Sequence, residues 1–404
     1  MGTVNKSDSA KFFAHHIGGR AGSVAFPDLP KFREEIVNII YDADDSCLAQ
    51  IEDAWYGKNV LVLPYCLSNK CGTAKFNINY DPYTSSLYPM NPSFGNFYGK
   101  GQDGHTDCLI AGALKTEKII DVETHTLDSL VETNVILPPD FLSIDTQGAE
   151  LLILEGALQY LNQNIVAVEV EINLASVYEG APLFGQLDEF LRKHNFLLVN
   201  IETIDIGYKR ISKSCRGAGI PLQGEALYLL RTDSVKGSDN IELTRKLEKL
   251  AFAALAFGYT EVAFDALERS VNLTPDASKP QLYQKFLYKF FEEVKQRTDI
   301  PLLWHEIYSF EESNNRFASV GVVSTKQRYL KLLRDKPLKY SLIITGKILR
   351  KIYHAVLSMI RKSFSICRIK LSVLPKRTRF DSFLLKNGFH IAVQRIHERR
   401  QRGF

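Results

Sequence analysis

The stretch FLSIDTQGAELLILEGALQYLNQNIVAVEVEIN, residues 141–173, decides the fold of this chain. Two apolar runs within it, 141–145 and 165–171, have the composition of buried β-strands, and the leucine-rich residues 149–162 between them have helical spacing. A strand, a helix and a second strand in this order predict a right-handed crossover between two parallel strands. The stretch therefore indicates an α/β sheet.

The same alternation extends over residues 1–234. Further helix candidates are 46–55 and 183–194. Further strand candidates are 12–17, 36–41, 60–66, 196–201 and 226–231. This order predicts an open, doubly wound α/β sheet. The last two strand candidates are joined by an irregular, glycine-containing stretch instead of a long helix, so we expect that edge of the sheet to be antiparallel.

Composition and charge indicate a globular chain with two electrostatically opposite parts. The 404 residues are 45% hydrophobic and 24% charged, which excludes a mainly disordered or collagen-like chain. Residues 1–234 contain 18 Lys and Arg against 30 Asp and Glu, a net charge of −12, and residues 235–404 contain 32 against 16, a net charge of +16. The formal total of +4 hides this asymmetry, which suggests separate partners for the two parts.

The cysteines and the apolar segments bear on the compartment. The six cysteines are irregularly spaced, and no Cys or His cluster has the spacing of a zinc site, so we expect a reduced, cytoplasmic protein without a metal. The N-terminal residues lack the apolar core of a secretory signal. The longest late apolar stretch, 340–360, is interrupted by Lys347, Arg350 and Lys351, so no membrane span is expected.

The pattern divides the chain into three expected parts. They are an α/β domain at 1–234, a helical hairpin domain at 235–300 and a basic helical region at 301–404. After the polar linker SVKGSDN, two amphipathic helices are joined at Gly258 and ended by Pro275. The hairpin is similar to one tetratricopeptide repeat, but no second copy is visible, so a single packed hairpin is favoured over a repeat array.

The last part of the chain is strongly basic. Residues 340–404 contain 15 Lys and Arg against two acidic residues, and the cations and apolar residues fall on opposite helical faces. This pattern suits an anionic membrane surface, an acidic glycan or lipid-linked acceptor, a protein partner or a nucleic acid. The favoured interpretation is a solvated face on helices packed against the acidic half. No nucleic-acid motif occurs, so nucleic-acid binding is not expected.

Candidate binding residues lie where the predicted strands end, because ligands of doubly wound sheets bind at the carboxyl ends of strands. Gly18, Gly19 and Gly22 follow the first strand, where glycines permit close approach to a cofactor or form a plain turn. Asp42 ends the second strand about 20 residues later, where a carboxylate can hold a ribose. The acidic residues at this position can equally cap the next helix.

Four carboxylates in the 141–173 stretch are candidates for chemistry. Asp145 ends one strand, Glu150 lies in the first helical turn, and Glu169 and Glu171 lie on the next strand. Carboxylates at adjacent strand ends can share a pocket in which burial and mutual repulsion tune a general base. Alternatively, Glu150 serves the helix dipole and Glu171 faces solvent.

Several segments, taken in order, resemble the FkbM-type S-adenosylmethionine-dependent methyltransferases. The similarity begins with FLSIDTQGAELLILEGA at 141–157 and the acidic strand and following residues at 165–201. Further matching segments are IGGRAG at 17–22, IIYDADDSCLAQIE at 39–52, NVLVLPYCLSNKCGTAKFNI at 59–78, TSSL at 84–87 and THTLDSL at 124–130. Linked motifs of this kind, spanning about 220 residues, are more specific than a lone glycine loop.

The resemblance implies a class I methyltransferase-like (Rossmann-like) fold, with a seven-stranded sheet that has an antiparallel edge. It implies S-adenosyl-L-methionine as the cofactor and O-methylation of a hydroxyl on a saccharide or secondary-metabolite acceptor. By matching position, the expected cofactor-binding residues are Gly18, Gly19 and Gly22 at the methionine end, Asp42 at the ribose, and Leu67 and Ser68 near the adenine.

The resemblance also places Asp145 and Glu150 at the methyl-transfer site. Transfer to a hydroxyl requires alignment of the acceptor oxygen and is helped by a base. Asp145 is the first candidate for that base. Weaker candidates are Glu169, His105 and His125.

The chain departs from the family pattern at two positions. His16 stands where the first strand usually carries an acid, and Gln147 stands where a Glu is common. An imidazole cannot offer a fixed negative charge to the ammonium of the cofactor. The alternative function is therefore a catalytically inactive methyltransferase-fold protein that serves as an interaction or membrane-surface adaptor.

Overall fold

A computed structural model describes residues 11–18, 26–43, 48–54, 59–100, 107–208, 218–273 and 282–296, with 385–386, 389–391 and 394 near the C-terminus. These residues all belong to one compact unit, which comprises 1–297 and 380–404. The predictions for Gly19, Gly22, His105 and the helices at 301–379 lie outside the described residues.

The described residues form strands and helices that are numbered in chain order. The strands are β1 (Phe12–Ile17), β2 (Ile36–Tyr41), β3 (Val60–Leu63), β4 (Cys66–Leu67), β5 (Gly72–Asn79), β6 (Tyr98–Lys100), β7 (Asp107–Leu109), β8 (Thr116–His125), β9 (Phe141–Ile144), β10 (Ala167–Asn173), β11 (Phe196–Ile206) and β12 (Ile220–Leu230). The helices are α1 (Leu48–Ala54), α2 (Ile110–Ala113), α3 (Leu127–Glu132), α4 (Glu150–Glu155), α5 (Leu158–Gln163), α6 (Phe184–Lys193), α7 (Asn240–Ala256), α8 (Thr260–Leu273) and α9 (Leu282–Gln296).

A seven-stranded sheet forms the centre of the fold, in the order β11-β12-β10-β9-β1-β2-β3. β1 runs parallel to β2 and β9, and the parallel pairing continues from β9 to β10 and from β2 to β3. β12 lies antiparallel between β10 and β11. The predicted doubly wound sheet with an antiparallel edge is confirmed.

Both faces of this sheet are covered, which explains the nearly continuous apolar composition of its central strands. Every residue of β1 and β2 is buried. Phe13 and Ile17 pack into the main core on one face. On the other face, the ring of Phe12 lies 4.8 Å from that of Phe26 and 5.3 Å from that of Phe252, which belongs to α7.

The predicted helical hairpin corresponds to α7 and α8. Asp239 caps α7 by accepting a hydrogen bond from the backbone N–H of Glu242, and Gly258 takes a left-handed φ of +86° between the two helices. Lys249 of α7 lies 2.8 Å from both carboxylate oxygens of buried Asp140, immediately before β9. The hairpin therefore packs directly on the sheet, while the boundaries 235–300 and 301–404 stay predictions.

The predicted strand at 60–66 is wrong as a single element. Pro64 lacks the N–H that a ladder requires, and β3 ends before it. Cys66 and Leu67 then form β4, which belongs to a separate three-stranded sheet in the order β4-β8-β5. The sequence interpretation missed β5 and β8, which pair antiparallel.

The predicted helix at 149–162 is also divided, into α4 and α5, with Gly156 between them. A Cβ atom on Gly156 would lie 2.1 Å from the carbonyl oxygen of Ser68. The break and the missing side chain together let the backbone after β4 approach this turn. No helix among the described residues is long and apolar enough to span a membrane.

Candidate active site

A cavity of about 840 Å³ opens where the parallel strands end. Gly18 after β1, Asp42 after β2, Asp145 after β9 and Glu171 on β10 all contribute to its wall. The second sheet supplies an apolar wall through Phe76, Ile78 and Ile120. The topology thus brings four sequence-distant segments to one site at the carboxyl ends of the strands, as expected for a doubly wound sheet.

Gly18 is required by the geometry of this edge. Its φ is +90°, its N–H donates to the carbonyl oxygen of Tyr41 at 3.0 Å, and a Cβ atom would lie 1.7 Å from the carbonyl oxygen of Asp145. Only glycine tolerates both the left-handed conformation and this contact. Gly18 is predicted to permit close approach of the backbone to a cofactor. In the structure it permits close approach to the backbone that follows β9.

The residues predicted to bind the ribose and the adenine have two kinds of location. Some line the cavity, and one supports the backbone behind it. Asp42 lines the cavity, as do Cys66 and Leu67. Burial raises the pKa of the Cys66 thiol to about 11, and the charge of Asp42 acts in the same direction. Ser68 is buried, and its N–H donates to the carbonyl oxygen of His125 at 2.9 Å, so it supports the turn behind Leu67.

Asp145 and Glu171 are joined by one side-chain amide. Gln147 Nε2 donates to Asp145 Oδ1 at 3.0 Å and to Glu171 Oε1 at 2.9 Å. A second amide, Gln223 Nε2, donates to Glu171 Oε1 at 3.2 Å. Burial raises the pKa of Glu171 well above its usual range, and the charges of Asp145 and Glu150 raise it further. Burial also raises the pKa of Asp145, which the Gln147 hydrogen bond opposes.

The pairing register explains why Glu171, and not Glu169, stands beside Asp145. β10 pairs with β9 so that Glu169 lies opposite Ser143 and Val170 opposite Ile144. Glu171 and Asp145 each follow this last pair, and both line the cavity. Glu169 lines only a second, smaller cavity of about 280 Å³, whose wall Asp145 and Glu171 also share. The sequence predicts that both glutamates lie on one strand, but the pairing register of that strand with β9 cannot be read from the sequence.

Glu150 holds the turn that follows Asp145. Its Oε1 accepts hydrogen bonds from the N–H groups of Thr146 and Gly148, at 3.0 and 2.9 Å. Burial raises its pKa to about 7 in spite of these bonds. The side chain is buried and does not contribute to the cavity wall, so its observed contacts are with the turn.

The described histidines lie away from the cavity wall. His16 is buried, its Nδ1 lies 2.9 Å from the hydroxyl of Ser143, and burial lowers its pKa to about 4, so it is neutral at pH 7. It lines the second cavity with Glu169. His125 ends β8, where its ring lies 4.9 Å from that of Tyr65.

Metal ligation can be assessed for the described part of the chain. Within these residues, no group of three or more His, Cys, Asp or Glu side chains is arranged to hold a metal ion. Metal independence stays a prediction.

The strand order, the antiparallel β12 and the position of the cavity define a class I methyltransferase-like fold. Residues 16–198 match the family model described as "Methyltransferase FkbM domain". This match confirms the predicted family resemblance over residues 16–198.

Among solved structures, the chain is similar to the precorrin-6y C5,15-methyltransferase from Geobacter metallireducens GS-15. The sequence identity is 9% and the TM-score 0.25, over 54% of this chain and 81% of that chain. Comparison with curated proteins gives no match.

Proposed function

We propose that the protein is an S-adenosylmethionine-dependent O-methyltransferase that acts on a hydroxyl of a saccharide or secondary-metabolite acceptor. One observation carries the proposal: a single cavity joins Gly18 and Asp42 to the Asp145–Gln147–Glu171 network. The first two residues suit the binding of a nucleoside-containing cofactor, and the network suits proton transfer.

The residues present fit S-adenosylmethionine. Gly18 presents backbone without a side chain to the cavity wall, and Asp42 offers a carboxylate to the hydroxyls of a ribose. Leu67 and Tyr65 add apolar and aromatic wall near Asp42, where an adenine would be bound. The volume of about 840 Å³ is within the range of small-molecule sites.

When bound, S-adenosylmethionine supplies an activated methyl group. The chain's own contribution is to orient an acceptor oxygen, exclude water and take up the hydroxyl proton. Asp145 is the proposed base because it lines the cavity and its Oδ1 is oriented by Gln147. Glu150 fixes the turn that carries Gln147, so its proposed part is structural support for the base.

The second sheet and the loop after β5 form the proposed acceptor side. Phe76 and Tyr83 line the cavity, and Tyr83 is 56% exposed, so an aromatic ring is available at the edge of the site. Aromatic faces beside hydrogen-bonding groups suit a polyhydroxylated acceptor. This arrangement supports the saccharide class as the proposed acceptor.

Calorimetry with S-adenosylmethionine tests the proposal. Asp42→Ala should raise the dissociation constant roughly 10- to 100-fold, because hydrogen bonds to a charged group contribute about 1.5 to 3 kcal/mol. Asp53→Ala is the matched control, since Asp53 is an exposed carboxylate on α1 that does not line the cavity.

Two outcomes would contradict the proposal at different levels. Unchanged binding by folded Asp42→Ala would remove the ribose assignment. If the folded wild-type protein did not bind S-adenosylmethionine, the proposed enzymatic activity would be refuted. The alternative, an inactive methyltransferase-fold adaptor, would then be favoured. Mass spectrometry of extracts from cells with and without the protein would then identify the methylated acceptor.

A further inference from the structure

The orientation of the Gln147 amide is fixed by the two carboxylates on either side of its nitrogen. Its Nε2 donates to the carboxylates of Asp145 and Glu171, and its Oε1 accepts from the hydroxyl of Tyr178 at 2.8 Å. A flipped amide would present an oxygen to two carboxylates and would lose both bonds to them. The Tyr178 hydroxyl does not distinguish the two orientations, because it can donate to the Thr84 carbonyl oxygen at 3.0 Å and accept from an amide nitrogen. The nitrogen therefore lies between two groups that would otherwise repel each other.

The backbone at this position is also unusual. Gln147 has a φ of +59°, in the left-handed region that residues other than glycine rarely adopt. Its carbonyl oxygen accepts a hydrogen bond from the hydroxyl of Ser86 at 2.7 Å, and the following Gly148 has a φ of +112°. The turn is thus held in a conformation that directs the amide to the two carboxylates, at a cost typical of functional positions.

The charges around the two carboxylates favour one bound proton. Glu150, which is bonded to the turn, and Glu225 on β12 are further acids whose charges act on this pair. The described residues of the main cavity wall include no Lys, Arg or His. The second cavity, which the pair also lines, adds Glu169 and His16, and burial lowers the pKa of His16 to about 4, so it brings no positive charge at pH 7. Two carboxylates in such a setting cannot both ionise readily, so their protons are released in coupled steps.

The two carboxylates are not equivalent. Glu171 Oε1 accepts from both Gln147 and Gln223, whereas its Oε2 is buried without a hydrogen-bond partner among the described residues. An ionised Glu171 would leave that oxygen unsatisfied, which is costly in a buried setting. The proton of the pair is therefore better placed on Glu171, which leaves Asp145 ionised.

We propose that Asp145 and Glu171 form a carboxyl pair that shares one proton, with Gln147 as the positioning residue that keeps Asp145 ionised. The inference rests on the proposed function. In the transfer step, the acceptor O–H bond breaks and its proton passes to Asp145. The acceptor oxygen uses that electron pair to bond the methyl carbon, whose former bonding pair stays on sulfur. Asp145 then releases the proton to water.

NMR titration of protein labelled with ¹³C at its Asp and Glu carboxyl groups tests the pair, with Asp145→Asn used to assign the Asp145 signal. Gln147→Met should raise the pKa of Asp145 by about one unit, a tenfold change in proton affinity. Gln223→Met is the matched control, because it removes an amide donor from Glu171 without removing one from Asp145. It should leave the pKa of Asp145 unchanged or lower it.

A second variant keeps the test decisive if Gln147→Met does not fold. Asn at position 147 tolerates the left-handed conformation but is too short to bridge both carboxylates. Gln147→Asn should therefore raise the pKa of Asp145 as Gln147→Met does. A purely structural role would alter stability without moving the titration of Asp145. With an acceptor in hand, the acidic limb of the kcat/KM profile should move to higher pH in both variants.

The inference and the proposed function fail in different ways. If folded Gln147→Met and Gln147→Asn titrate Asp145 as the wild type does, while S-adenosylmethionine still binds, the carboxyl pair is refuted and the proposed function stands. If the wild-type protein does not bind S-adenosylmethionine, the proposed function fails, whatever the titration shows.

Discussion

Replacement of Lys249 by Met should reveal how strongly the helical hairpin is held to the sheet. The Lys249 ammonium lies 2.8 Å from both oxygens of Asp140, whose Oδ2 also accepts the N–H of Phe13 at 2.9 Å. The two side chains are only 13% and 4% exposed. Met keeps most of the side-chain volume, so the substitution removes chiefly the charge.

The expected loss of stability is large because the Asp140 carboxylate would remain buried without the Lys249 ammonium. Breaking a buried pair by removing one member costs about 3 to 5 kcal/mol of the free energy of unfolding. Lys193→Met is the matched control, since Lys193 pairs with Glu189 through side chains that are 68% and 66% exposed. Such exposed pairs contribute about 0 to 1 kcal/mol.

The pH dependence of this loss has a definite sign. Burial raises the pKa of Asp140, and Lys249 opposes that rise, so the variant should have a still higher Asp140 pKa in the folded state. A group whose folded pKa is raised stabilises the protein when protonated, and that contribution disappears as the pH rises through the folded pKa. The deficit of Lys249→Met should therefore be smaller at pH 5 than at pH 7.

Urea unfolding of the full chain, followed by far-ultraviolet circular dichroism at both pH values, measures the deficit. Asp140→Asn combined with Lys249→Met should recover part of it, because the double variant buries no charge. A deficit below 1 kcal/mol at pH 7, or one that is equal at pH 5 and pH 7, would refute the reasoning.

Two further predictions concern the glycine turn and the basic region. Gly18→Ala should destabilise the protein by more than about 4 kcal/mol and abolish S-adenosylmethionine binding, because the added Cβ would overlap the Asp145 carbonyl oxygen at 1.7 Å. Gly112→Ala, whose Cβ would meet nothing within 4 Å, is the control, and equal melting temperatures for the two variants would contradict the steric argument. For the basic region 301–404, the sequence favours helices packed against the acidic half. The alternative that we propose to test is binding of an anionic surface or a protein partner, with peripheral membrane association as one form. Sedimentation with anionic liposomes at low salt should show binding that high salt removes, and no sedimentation would exclude the membrane form.

The main sheet was predictable because its signals are local. Buried parallel strands produce short apolar runs, and their ends carry the residues that reach the ligand edge. The predicted bounds of β1 and β2 agree with the structure, and Asp42 and Asp145 lie at the cavity as their places after strands indicated. The strand bounds and the acidic residues that follow the strands depend only on a few consecutive residues, so they can be read directly from the sequence.

The second sheet and the carboxyl pair depend on contacts between distant residues. β5 and β8 show the alternation of exposed strands, as in Phe76 and Ile78, but their pairing crosses a connection of more than 30 residues. The choice between Glu169 and Glu171 depends on the register of β10 against β9. A shift of pairing register exchanges neighbouring side chains without changing the sequence pattern.

The two departures from the family pattern do not argue for an inactive protein. His16 is neutral and bonded to Ser143, and it lines the second cavity, where Asp145, Glu169 and Glu171 supply carboxylates in its neighbourhood. A Glu at position 147 in the observed geometry would put a third carboxylate at about 3 Å from those of Asp145 and Glu171. Such an arrangement would require another proton or a cation. Gln147 supplies a donor to both carboxylates instead, as the proposed carboxyl pair with Asp145 as its base requires.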